Sequence, residues 1–201
     1  MNEFRATVAI VRRHIDRRFA IDWAMQFGIV AAIAYAFTKT FAHPILPLLI
    51  ASTLAAASTA ERSHAESLRR LTFFAMPLYG RQLARAHAIA PSLLALSIPA
   101  GYALGSALRT HEFPAPLFLA MLFAALTATL VSLSSIFREG IRAWLYVALA
   151  ILVGPLVTLP YVLRPAHETA IGLALTALIG FFALRGFSET LARYDPVSTA
   201  P

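Results

Sequence analysis

Residues able to do chemistry are few in this chain, and most fall in one interval. Between Ala60 and Ile89 come Glu61, Arg62, His64, Glu66, Arg69 and Arg70, then the apolar group Leu71, Phe73, Phe74 and Met76. Pro77 ends this run, and Arg81, Arg85 and His87 lead back into apolar sequence. Carboxylates and guanidiniums on a helix-prone segment stopped by proline form a surface suited to charge-assisted contacts with another macromolecule. The plainer reading is an amphipathic hairpin that only anchors topology.

Two other groups can be weighed. His43, His111 with Glu112, and His167 with Glu168 fall in three short polar turns. Three imidazoles and two carboxylates suit a metal ion. None pairs at helical ligand spacing, however, and wet turns favour such residues anyway, so no metal site is expected. The hydroxyls of Thr127, Thr129, Ser132, Ser134 and Ser135 either line a polar path or hydrogen-bond across packed helices and to their own carbonyls. In the fifth span, Gly154-Pro155 and Pro160 break the backbone ladder and free carbonyls that protein or a watery cavity must satisfy, so a kinked outer end is expected.

Catalytic patterns are missing. There is no GxxxxGK[ST] loop for a nucleotide phosphate, no GxSxG elbow, and no aspartate pair at metal-binding spacing. Cysteine is absent, which excludes disulfides and thiolate chemistry. The expectation is a chain with no catalytic residue and no cofactor or metal of its own.

The elements that carry these residues follow from composition. Of 201 residues 59% are hydrophobic and only 13% charged, with a mean hydropathy of +0.69. Soluble domains need about twice that charge to coat their surface. The predicted class is an all-α integral membrane protein, one domain over 1–201. Residues 1–20 form an amphipathic helix, with Phe4, Val8, Val11, Ile15 and Phe19 on one stripe and Arg12, Arg13, Arg17 and Arg18 largely off it. Such a helix lies in the interface with its arginines on anionic lipid; a soluble flanking helix is the other reading. Six spans are expected at 21–41, 45–59, 90–108, 116–137, 141–163 and 170–184, with 60–89 a polar segment between the second and third.

Arginine placement orients them. Five basic residues precede the first span, five lie between the second and third, two between the fourth and fifth, and two in the tail. Only Lys39, Arg109 and Arg164 fall on the opposite side. The positive-inside rule then puts both termini and the 60–89 segment in the cytoplasm. The net charge of +7 is explained by this bias and calls for no nucleic-acid partner. No ionisable residue sits at a span centre, which argues against a proton-coupled carrier.

The segment Glu61-Arg62, Glu66-Ser67-Leu68-Arg69-Arg70-Leu71 and Met76-Pro77-Leu78-Tyr79-Gly80-Arg81-Gln82-Leu83 resembles the cytoplasmic loop of type-2 permeases of the ATP-binding-cassette (ABC) transporters. The amphipathic first helix and the six spans match that family too. The resemblance implies a multi-pass exporter subunit of the bacterial cytoplasmic membrane. Its short helix between spans two and three would dock on a separate nucleotide-binding ATPase, which holds ATP and Mg. A second permease copy would complete the path. On that resemblance Glu61, Glu66, Arg69, Arg70, Leu71, Phe73, Phe74, Pro77 and Arg81 are the coupling residues, and Thr127, Thr129, Ser132 and Pro155 the candidates for the path. A neutral path suits an amphiphilic or hydrophobic substrate. The alternative is a membrane scaffold, an assembly factor or a membrane-embedded enzyme.

Overall fold

The computed structural model describes residues 3–37, 44–64, 80–133, 141–163 and 177–189. Among them every regular element is a helix: α1 (Glu3–His14), α2 (Arg17–Phe37), α3 (Ile45–His64), α4 (Gly80–Ala95), α5 (Ser97–Thr110), α6 (Ala115–Leu133) and α7 (Ile141–Leu163). A further helical stretch covers 177–189.

The first helix ends earlier than the stripe predicts. Asp16 accepts a hydrogen bond at Oδ1 from the Phe19 amide, 2.8 Å away, and so acts as the N-cap of a new helix. The chain bends at Ile15–Asp16, and α2 carries Arg17 and Arg18 at its own start. Ile10 of α1 is 1% exposed, and α1 packs against α4.

Three helices are long and apolar enough to cross a membrane: Arg17–Phe37, Arg85–Thr110 and Ala115–Leu133. The second of these joins α4 to α5. Leu96 between them keeps right-handed helical angles, and the Leu96 and Ala100 amides donate to the carbonyls of Ser92 and Leu96. Pro91 and Pro99 have no N–H to give the His87 and Ala95 carbonyls, so the ladder loses two bonds while the helix continues. Twenty-six residues reach about 39 Å at 1.5 Å each, more than the roughly 30 Å of hydrocarbon. Ile45–Ala60 and Trp144–Leu156 are shorter apolar helices. The helix α7 runs on through Gly154-Pro155 and Pro160. Three of the expected six spans thus correspond to helices of membrane-crossing length, the apolar stretches found at two more are shorter, and much of 170–184 lies outside the described residues.

The core is rich in small residues and the surface in large ones. Ala51, Ala55, Ala56, Ala124, Ala125, Ala128 and Ala150 are fully buried. Ile21, Met25, Ile29 and Ile33 of α2 and Trp144, Leu145, Leu149, Leu152 and Leu156 of α7 face outward. A soluble fold reverses this pattern. Inside a bilayer, large side chains lose nothing by facing lipid, and small ones let backbones approach.

The α5–α6 connection is built for a reversal. His111 adopts a left-handed conformation at φ 59°, and its amide donates to the Ala107 carbonyl at 2.8 Å, an αL cap. Pro114 then precedes α6, and Phe113 packs on Phe118 with ring centroids 5.4 Å apart. These are the N′ and N4 positions of a hydrophobic staple.

Candidate functional site

Contacts between α2 and the α4–α5 helix keep one register. A Cβ on Gly101 would stand 2.5 Å from the Phe27 carbonyl oxygen, and one on Gly105 would collide with the Ala31 carbonyl. One turn further, the Arg109 guanidinium lies 5.6 Å from the Tyr35 ring centroid. Each pair is separated by the same interval along the chain, so the two helices run parallel. Earlier in both helices, the Trp23 indole donates to the Leu93 carbonyl at 3.2 Å. There, too, Phe19 packs with Ala90 and Leu94. Gln26 Oε1 lies 3.0 Å from the Ser97 hydroxyl, which is also 2.7 Å from the Leu94 carbonyl. A hydroxyl has one proton, so it donates to one of these acceptors at a time.

A second parallel pair is α3 with α6. Gly154 of α7 meets both Ser52 and the Ala124 carbonyl, and a turn or two later the Ser132 hydroxyl donates to the Ala56 carbonyl at 3.1 Å. The later halves of α3 and α6 therefore lie toward the same end of the bundle, with α3 running about two turns past Ala56 to His64.

With these registers, α1, the start of α2 and the start of α4 lie at one end of the bundle. Arg5, Arg12, Arg17, Arg18 and Arg85 are exposed there, and Arg13 also belongs to α1. Glu61 stands in the last turn of α3 and Arg81 in the first turn of α4. At the other end, Arg109 lies over Tyr35. The remaining expected docking residues, Glu66, Arg69, Arg70, Leu71, Phe73, Phe74 and Pro77, lie outside the described residues.

The expected path residues are placed in the packed interior. Thr127, Thr129 and Ser132 are 1% exposed or less, and Pro155 is buried. Two residues on a helix differ by about 200° in direction, so Thr127 and Thr129 point to opposite sides of α6. Ser132 bonds across to α3 as noted, while Thr127, Thr129 and Ser52 have no hydrogen-bond partner for their hydroxyls among the described residues. Other hydroxyls bond back to their own helix: Thr59 to Ala55 at 2.7 Å and Thr158 to Gly154 at 2.8 Å.

Among the described residues, no group of three His, Asp or Glu side chains is placed to hold a metal. His111 and Glu112 are exposed; His43, His167 and Glu168 lie outside the described residues. Sequence reasoning passed over Gln26, a lone amide in an apolar run. Its need for a partner inside hydrocarbon was the available signal.

No family model matches the chain, and no curated protein or solved structure matches it.

Proposed function

We propose that this chain is the membrane-spanning permease subunit of an ABC exporter, working as a dimer of permeases with a separate nucleotide-binding ATPase. ATP and Mg would be held by that partner, and the cargo would be amphiphilic or hydrophobic. The chain would sit in the bacterial cytoplasmic membrane with both termini inside. The supporting observation is the gathering of exposed arginines at the end of the bundle where α3 stops and α4 begins. That is the end from which the 65–79 segment, with Arg69 and Arg70, leaves and returns.

In this reading the ATPase grips the segment and moves α3 and α4 together. The α4–α5 helix is locked to α2 at Gly101 and Gly105, so a push at the loop carries α2 along. No charged group inside the membrane is required, because the energy comes from the partner.

Purification of the full chain from its native membrane tests the reading. The expected result is a co-purifying ATPase with a GxxxxGK[ST] loop. A chain that purifies alone, or one that shows metal- or substrate-dependent activity by itself, supports a scaffold or a membrane enzyme instead.

A further inference from the structure

An open groove of about 360 Å³ lies along the outer face of α4. Its floor is Arg85, Ile89, Ser92 and Leu96, with Leu126 of α6 and Leu184 of the 177–189 stretch on its walls. The floor residues recur at steps of four, three and four, so the groove follows one helical face for about 16 Å. Its lining surface is almost wholly apolar, Arg85 and Ser92 contributing mainly carbon, and Arg85 is exposed. Arg85 stands at the end of the bundle where the other arginines collect, and it opens the segment Arg85–Thr110 that is long enough to span a membrane.

We infer that this groove binds one anionic phospholipid, with an acyl chain along α4 and the phosphate on Arg85. Position identifies the occupant. The groove begins at the level of the headgroups and runs inward at hydrocarbon depth, where water is expelled and a lipid chain is the available filler. A guanidinium matches a phosphate in shape and charge. Basic residues at the cytoplasmic ends of spans select anionic headgroups. The inference rests on the membrane-spanning character of α4–α5 and is independent of any ATPase.

The chain supplies its own probe. Trp23 bonds to the carbonyl of Leu93, which also lines the groove, whereas Trp144 lies on the exposed face of α7. In a Trp144→Phe background, reconstituted in nanodiscs, Trp23 fluorescence is quenched by brominated acyl chains. Brominated phosphatidylglycerol is expected to quench at a roughly fivefold lower mole fraction than brominated phosphatidylcholine, the selectivity of one well-placed arginine. Arg85→Gln should abolish that preference, while Arg12→Gln, at another exposed arginine, should keep it. Ser92→Phe, which fills the groove, should weaken quenching by both lipids, with helix content checked by circular dichroism. Equal quenching by the two lipids overturns the proposal. So does a preference that survives Arg85→Gln, or one that Arg12→Gln removes equally, since that is general surface potential.

Discussion

The Cα of Gly105 packs directly against the Ala31 carbonyl, leaving no room for a methyl group. Gly101 repeats the contact one turn earlier against Phe27. The obstacle in both cases is backbone, which cannot swing aside as a side chain would.

Gly105→Ala is therefore expected to destabilise the α2–α5 pair by about 1–3 kcal/mol, the usual range for overpacking. Gly28→Ala is the control, because nothing lies within 4 Å of its would-be Cβ. In a helix that change is neutral or helpful by up to about 1 kcal/mol. Thermal unfolding in one detergent should rank Gly105→Ala below wild type and Gly28→Ala at or above it.

The buried hydroxyls separate by partner. Ser132→Ala loses the bond to the Ala56 carbonyl and should cost about 0.6 kcal/mol, typical for a membrane interhelical bond. Ser52→Ala removes a buried hydroxyl that has no partner among the described residues, so stability should be unchanged or higher. Paired unfolding measurements check the opposite signs.

Asp16→Ala removes the cap on the Phe19 amide and should cost about 1 kcal/mol, while Asp16→Asn should restore most of it. Hydrogen exchange at the first turn of α2 reads this locally; equal protection in all three proteins contradicts the capping role.

The all-helical class and three long apolar helices were legible in the sequence, and what was not has reasons tied to particular residues. The Phe4–Phe19 stripe announced an amphipathic start, yet it could not reveal that Asp16 would cap a new helix, because a stripe continues smoothly through a bend. The partners of Gly101 and Gly105 carry no signal in the sequence. Phe27 and Ala31 lie 74 residues away, and a carbonyl as partner leaves no side-chain signature. The hydroxyls of α6 looked like a ladder, although helical geometry sends Thr127 and Thr129 to opposite sides. For the docking residues the sequence remains the whole basis, since residues 65–79 lie outside those described.

The parallel run of α2 and α5 and the reversal at His111–Pro114 place Arg12 and Glu112 at opposite ends of the bundle. With no native cysteine, Arg12→Cys and Glu112→Cys give clean reporters. A membrane-impermeant maleimide should label Glu112→Cys in intact cells and Arg12→Cys only after the membrane is opened. Labelling of both from one side contradicts the topology.

The most direct measurement for the central proposal is charge reversal at the loop. Full-length chain carrying Arg69→Glu and Arg70→Glu is purified beside wild type, and the retained ATPase and its turnover in proteoliposomes are measured. The account predicts that wild type retains an ATPase and that the reversed chain loses most of it, along with any stimulation of turnover by the membrane subunit. An ATPase held and coupled equally by both proteins would contradict it.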